Sequence, residues 1–160
     1  MPSKNLSAQI GNTLRKKRLS LAVAESCTGG FLSHCITNTP GSSDYFIGAL
    51  LAYQNRVKNS VLGVPLGTLK KHGAVSLPTA LGMAKNVAKL FHADWGIGIT
   101  GIAGPSGGSK KKPVGLVYIA VSGNNRTIGK KFIFSGSRRR VKTLAANAAL
   151  NFLRLRLRAK

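Results

Sequence analysis

The stretch LAVAESCTGG, residues 21–30, decides the fold of this 160-residue chain. Its first half is apolar, as in a buried strand, and its second half becomes polar before two glycines. A strand that ends just before a helix delivers Ser26 to the amino terminus of that helix. The unpaired amides of such a terminus can hold a phosphate, a carboxylate or a developing oxyanion. The decapeptide therefore predicts either a functional serine or a polar turn that binds nothing.

Apolar runs alternate with helical patterns along the rest of the chain, which predicts an α/β fold. We interpret residues 1–160 as a single domain, a three-layer α/β/α sandwich whose sheet is largely parallel with an antiparallel hairpin. Strands are predicted at 21–25, 45–53, 94–103, 114–122 and 127–134, the first three of them buried. Helices are predicted at 5–17, 29–37, 55–63 and 66–71, and from Ser76 and Ser137 onward.

Two patterns within these elements bear on function. Gly96, Gly98 and Gly101 match the GxGxxG spacing of dinucleotide-binding loops, but they lie inside an apolar strand pattern, so we interpret them as structural. The final helix has an apolar face over four turns, which predicts burial of Val141, Leu144, Ala145, Ala148, Phe152 and Leu155.

Charge is the unusual property of the composition. The chain has 25 Lys and Arg but only Glu25, Asp44 and Asp94 as acids, for a net charge of +22. Such a surface implies an anionic substrate or partner, and nucleic acid is one candidate. The basic clusters, however, lie at the ends of predicted elements, and aromatic residues do not alternate with them. General surface character is therefore favoured, and non-specific nucleic-acid binding stays as the alternative.

The scarcity of acids and histidines excludes whole classes of chemistry. Three carboxylates and three histidines have no metal-ligand spacing, and paired-carboxylate hydrolysis would need the acids to converge. We therefore expect no metal site, and nucleophilic chemistry on Ser, Thr or Cys remains. Cys27 and Cys35 indicate reduced thiols rather than a disulfide framework. With no apolar stretch of spanning length, we expect a soluble, cytoplasmic protein without membrane contact.

Seven sequence blocks occur in the order of a known family, and together the resemblance covers about Leu6 to Leu153. They are ESCTGG (25–30), PGSS (40–43), AYQNRVK (52–58), LGVP (62–65), HGAVS (72–76), TGIAGPSGG (100–108) and KPVGLVYIA (112–120). The chain resembles the C-terminal domain of the CinA family, the nicotinamide-nucleotide amidohydrolases. It looks like the stand-alone form, without the molybdopterin-binding-like domain of longer members.

The resemblance implies an activity and a set of site residues. It implies a dimeric enzyme that hydrolyses the carboxamide of nicotinamide mononucleotide to nicotinate mononucleotide and ammonia, with no metal or other cofactor. Ser26, Tyr53 and Lys58 match the family's serine nucleophile, tyrosine and lysine. A lysine can serve as base only if its ammonium form is destabilised, as by burial or nearby positive charge. Tyr53 would relay or orient the proton.

The remaining candidates are predicted to bind substrate. Arg138 is assigned to the phosphate, because a cation in the first turn of a helix opposes the helix dipole unless an anion binds there. Glu25 is also expected to hold its turn by accepting backbone hydrogen bonds. The full set is Glu25, Thr28, Gly29, Gly30, Asn55, Thr100, Gly101, Gly104, Arg138 and Lys142.

Departures from the family pattern leave a second interpretation open. Members often carry Glu where this chain has Arg56, Leu77, and Lys110 or Lys111. The alternative is a catalytically impaired, basic nucleic-acid-binding or competence-associated protein on the same fold. Cys27 is a rival nucleophile, although a small packing residue is favoured because no histidine adjoins it.

Overall fold

Five strands form one mixed sheet in the computed structural model, which describes residues 4–158. They are β1 (Leu21–Glu25), β2 (Phe46–Leu51), β3 (Trp95–Gly101), β4 (Leu116–Gly123) and β5 (Arg126–Ile133). Their order is β2-β1-β3-β4-β5, with β1 parallel to both of its neighbours. Only β4 is reversed, so its ladders with β3 and β5 are antiparallel. The predicted fold class and hairpin are confirmed, and the parallel part is the β2-β1-β3 half.

Helices cover both faces of this sheet. They are α1 (Lys4–Lys17), α2 (Phe31–Thr37), α3 (Asn55–Ser60), α4 (Leu66–His72), α5 (Leu77–Leu90) and α6 (Arg138–Arg158), with one 3-10 turn at Ser42–Asp44. The larger core lies between the sheet and α1, α2 and α6, and α4 and α5 cover smaller clusters on the other face. Ser76 caps α5, as predicted, by accepting a hydrogen bond from the Thr79 amide at 3.3 Å. Across the described residues, every helix is too short or too polar to cross a lipid bilayer.

Two burial predictions were wrong. The run 45–53 was expected to form a buried strand, but β2 is an edge strand whose Ile47 and Leu51 are about half exposed. Leu155, expected in the apolar face of α6, is 48% exposed. Because α6 packs against the sheet and against α1 and α2, its buried face is broader than one stripe. That face includes residues outside the predicted set, namely Ala146, Ala149, Leu150, Leu153 and Leu157.

The glycines of β3 let α5 lie directly on the sheet. A Cβ added to Gly98 would lie 2.5 Å from the carbonyl oxygen of Ala80 and 2.6 Å from the amide nitrogen of Ala84. A Cβ on Gly96 would likewise collide with the Ala84 carbonyl. The close approach of two backbones accounts for these glycines, which confirms that they are structural and not part of a dinucleotide-binding loop.

This topology brings distant segments to one edge of the sheet. The parallel strands β1 and β3 end together, with Glu25 paired to Ile99. The turn after β1 and the glycine-rich loop after β3 therefore meet beyond their carboxyl ends, where open α/β sheets bind ligands. At the opposite edge, Asp94 accepts hydrogen bonds from the Ser20 amide and hydroxyl at 2.8 and 2.7 Å, which ties the starts of β1 and β3 together.

The close packing of α5 on β3 yields a stability prediction. Gly98→Ala is expected to lower the free energy of unfolding by about 1–3 kcal/mol, because its Cβ would overlap main-chain atoms that can move only with the whole helix. Gly67→Ala, on exposed α4, is the matched control. A Cβ there meets nothing within 4 Å, so this change should stabilise by roughly 0.5–1 kcal/mol. Urea unfolding of both variants measures these changes in the free energy of unfolding. Equal stability of Gly98→Ala and wild type would contradict the prediction.

Candidate active site

A pocket of about 270 Å³ opens where the turn after β1 meets the loop after β3. The segment that precedes α5 closes a further side with Ala74 and Val75, to which sequence reasoning gave no role. Seven predicted residues line the pocket, namely Ser26, Tyr53, Lys58, Thr100, Gly101, Gly104 and Arg138. Segments 74 or more positions apart in sequence, at Ser26 and at 100–104, thus contribute to a single cavity.

Ser26 and Lys58 are in direct contact at the base of this pocket. The Lys58 Nζ lies 3.0 Å from the Ser26 Oγ. Lys58 is only 1% exposed and Ser26 8% exposed, so both polar groups are withdrawn from water. Lys58 is the buried residue of the short helix α3, which follows β2 and turns this side chain inward. The sequence prediction that these two residues work together is consistent with this geometry.

The burial of Lys58 destabilises its ammonium form relative to that of an exposed lysine. Its Nζ also donates to the carbonyls of Ala52 at 2.7 Å and Tyr53 at 2.9 Å. Its Nζ thus has three acceptors, the Ser26 Oγ and two carbonyls, and after loss of one proton the carbonyls can keep the two remaining hydrogens while the lone pair faces the Ser26 hydroxyl. Burial lowers the pKa of Lys58 from 10.5 to about 8. This arrangement gives the serine a base that is partly deprotonated near neutral pH.

Glu25 fixes the turn that carries Ser26. Its carboxylate, 1% exposed, accepts hydrogen bonds from the amides of Gly30, Leu32 and Ser33 at 3.1, 3.1 and 2.8 Å, and from the Ser33 hydroxyl. The amino terminus of α2 therefore binds a carboxylate of the chain itself. This is the turn-holding role predicted for Glu25, but its oxygens face α2 rather than the pocket.

Cys27 lies in the pocket wall but is poorly suited to attack a substrate. Burial raises the pKa of its thiol from 9.0 to about 12, so the reactive thiolate is disfavoured. The packing role that the sequence favoured for Cys27 is consistent with this environment. Backbone donors are available beside it, because neither the Cys27 nor the Thr28 amide donates to a backbone carbonyl within residues 4–158.

Tyr53 and Arg138 meet at the rim. The Arg138 guanidinium donates to the Tyr53 hydroxyl at 3.0 Å and to the Gly104 carbonyl at 2.8 Å. Tyr53 is 56% exposed, and its hydroxyl contacts neither Ser26 nor Lys58. It contacts Lys58 through its backbone carbonyl instead. The geometry thus places the tyrosine ring where it can orient a ligand, and no hydrogen bond supports the proton relay.

Thr100 and Gly101 shape the wall formed by β3. The Thr100 hydroxyl donates to the Ala74 carbonyl at 2.8 Å, which ties the segment before α5 to the pocket. A Cβ on Gly101 would lie 2.6 Å from the Leu116 carbonyl oxygen, so only glycine fits beside β4. The family block TGIAGPSGG (100–108) was the signal that linked this loop to the site.

The other predicted site residues lie outside the pocket. Gly29 and Gly30 form the left-handed turn before α2, and Lys142 Nζ lies 3.3 Å from the position of a Gly29 Cβ. Thr28 is fully buried, and its hydroxyl has no hydrogen-bond partner within residues 4–158. Asn55 lines a separate cavity with Arg56 and Asn59, because only the Lys58 side of α3 faces Ser26. The pocket-lining role expected from ESCTGG thus falls to Ser26 and Cys27 alone.

The structure also bears on metal binding. Among the described residues, no group of three or more His, Cys, Asp or Glu side chains is arranged to hold a metal ion. The groups that the pocket offers to a ligand are its side chains and backbone amides.

Comparison with known proteins gives a consistent family assignment. The sequence model of the CinA C-terminal domain matches residues 3–157. A CinA-like protein of Prochlorococcus marinus (strain MIT 9515) is 48% identical over 161 residues, which cover 99% of this chain and 37% of that protein. The chain thus spans little more than a third of the length of the curated relatives it matches.

Solved structures of similar length share the fold. The competence/damage inducible protein CihA from Agrobacterium tumefaciens has a TM-score of 0.94 at 34% identity, over 98% of this chain and 95% of that one. The competence damage-inducible protein A from Klebsiella pneumoniae has a TM-score of 0.94 at 30% identity, over 98% of each chain. The sequence resemblance to this family is therefore confirmed.

The role of Glu25 can be tested by substitution. Glu25→Gln is expected to destabilise the fold by roughly 1–3 kcal/mol, because an amide replaces one acceptor oxygen with a donor that faces backbone N–H groups. Ser33→Ala removes only one of the four hydrogen bonds and should cost less. Urea unfolding compares the two variants. A larger loss for Ser33→Ala than for Glu25→Gln would show that the carboxylate does not hold the turn.

Proposed function

Because the chain belongs to the CinA C-terminal domain family, we propose that it hydrolyses the carboxamide of nicotinamide mononucleotide, giving nicotinate mononucleotide and ammonia. One observation carries this proposal, the 3.0 Å contact between the Lys58 Nζ and the Ser26 Oγ in a buried environment. A serine hydroxyl attacks an amide only when a base accepts its proton, and Lys58 is the titratable group in contact with it.

The first half of the reaction acylates Ser26. The Ser26 Oγ attacks the carboxamide carbon while its proton passes to the lone pair of Lys58. The two carbonyls that Lys58 contacts, those of Ala52 and Tyr53, stabilise the ammonium that forms. When the tetrahedral intermediate collapses, its C–N bond breaks and Lys58 returns the proton to the leaving nitrogen. Ammonia departs, and an ester links the nicotinoyl group to Ser26.

The second half restores the enzyme with water. Lys58 is again neutral, so it accepts a proton from a water molecule that attacks the ester carbonyl. The C–O bond to Ser26 then breaks, and the proton held by Lys58 goes to the Ser26 Oγ. The product is a carboxylic acid, which loses its proton to solvent or to the ammonia, so the net reaction converts one amide and one water to a carboxylate and an ammonium ion.

Backbone donors next to the nucleophile suit the negative oxygen of both intermediates. The amides of Cys27 and Thr28 follow Ser26 directly and donate to no backbone carbonyl of the described residues. Glu25 holds the turn rigid through α2, so these dipoles are oriented before the substrate arrives. Fixed donors of this kind supply a large share of the rate enhancement in acyl transfer.

The rim of the pocket fits a ligand that carries a phosphate. Arg138 uses two donors on Gly104 and Tyr53, and a guanidinium has five in all, so further N–H groups are available to an anion. Arg138 also begins α6, whose exposed amides add to the positive field. Tyr53, exposed beside it, offers an aromatic face to the pyridine ring.

An ammonia-release assay tests this proposal. The purified chain is incubated with nicotinamide mononucleotide, and ammonia and nicotinate mononucleotide are measured together. Wild type should release both in equal amounts, and Ser26→Ala should be at least about a hundredfold slower, which is within the usual cost of removing a nucleophile.

Cys27→Ala is the matched control, because it removes the neighbouring nucleophile from the same turn. It should retain most of the activity, since the raised pKa of Cys27 keeps its thiol protonated. Two results would refute the proposal, either no ammonia from the wild type or a loss of turnover in Cys27→Ala with activity preserved in Ser26→Ala.

A further inference from the structure

Helix α6 connects the candidate active site to a distant basic surface. It begins at Arg138, which contacts Tyr53 and Gly104 at the pocket rim, and it ends at Arg158. Its 21 residues rise about 1.5 Å each, so its two ends lie about 30 Å apart. Whatever binds at the far end is therefore outside the pocket.

At that far end, α6 meets the end of α1. The Lys17 Nζ donates to the Leu157 carbonyl at 2.8 Å, which joins the carboxyl-terminal turns of the two helices. The residues around this contact form what we call the basic end, which consists of Arg15, Lys16, Lys17, Arg18, Arg154, Arg156 and Arg158. Arg158, the three α1 members and Arg18, which directly follows α1, are exposed, and Arg154 and Arg156 are half-buried.

Little negative charge compensates this surface. Within residues 4–158 the one ion pair joins Arg15 to Asp44 at 3.7 Å. Asp94 lies nearby, but its carboxylate accepts hydrogen bonds from Ser20. Seven cations thus face two acids, and both acids already have partners. Like charges gathered at one end of the molecule repel one another, and a bound anion would relieve that repulsion.

We propose that the basic end binds the phosphate backbone of nucleic acid without sequence preference. Five of its seven cations are arginines, whose planar guanidinium groups bind phosphate through paired hydrogen bonds. Among the described residues of α1 and α6, Leu155 is the one large apolar side chain that is exposed. This surface therefore offers neither an aromatic platform for unstacked bases nor an apolar face to insert into a membrane. A duplex backbone fits it best.

The test compares two variants that lose the same charge on different surfaces. In the first, Lys16, Arg18, Arg154 and Arg158 are each changed to Gln, which spares the tertiary contacts of Arg15 and Lys17. In the control, the exposed Lys70, Lys71, Lys85 and Lys89 of α4 and α5 are changed to Gln. Binding of a fluorescein-labelled 30-base-pair duplex is followed by anisotropy from 25 to 200 mM NaCl.

Wild type and control should bind with a similar, steep salt dependence. The first variant should bind at least tenfold more weakly at 25 mM NaCl. Its plot of log K against log salt should be shallower by about 2–4, since each phosphate contact adds about 0.9 to the steepness of that slope. Three results would overturn the proposal: no duplex binding by wild type, equal losses in both variants, or binding to phosphatidylserine vesicles but not to the duplex. Thermal unfolding and ammonia release verify that both variants are folded.

Discussion

The contact between Lys58 and Ser26 is the interaction on which the account of this site depends. A buried lysine with no carboxylate beside it is costly as an ammonium, and that cost lowers its pKa to about 8. The Nζ lies against two backbone carbonyls and the serine hydroxyl, so once a proton is lost the carbonyls can hold the two remaining hydrogens and leave the lone pair for the serine. The sheet supplies the setting, since the ends of β1 and β2 bring Ser26 and the helix of Lys58 to the same edge.

The distribution of acids explains how a chain with a net charge of +22 maintains this arrangement. Glu25 caps α2, Asp94 ties the starts of β1 and β3 together, and Asp44 pairs with Arg15. Each acid thus has a structural partner, and none of them lines the pocket. The scarcity of acids therefore leaves Lys58 without an anion that would stabilise its charged form, and it leaves the outer surface strongly positive.

Local patterns predicted most of the fold because they depend on neighbouring residues alone. Such patterns predicted the β1 strand, the cap at Ser76 and the hairpin turn. In that turn, Asn124 and Asn125 both have positive φ. The edge position of β2 could not be predicted from local patterns, because an apolar run looks the same in an edge strand and in a central strand. Strand order is a property of the whole sheet. Likewise, no local signal distinguishes the buried Lys58 from an exposed lysine; family resemblance alone singled it out.

The most direct measurement of the central claim is the titration of Lys58 itself by NMR. The Cε resonance of Lys58, assigned by its loss in Lys58→Met, is followed from pH 6 to pH 11 in protein labelled with ¹³C-lysine. The account predicts a midpoint near 8, well below that of the exposed lysines. A midpoint of 10 or higher would leave only about one Lys58 in a thousand as the free amine at pH 7, against about one in ten for a pKa near 8, and would contradict its assignment as the base that activates Ser26.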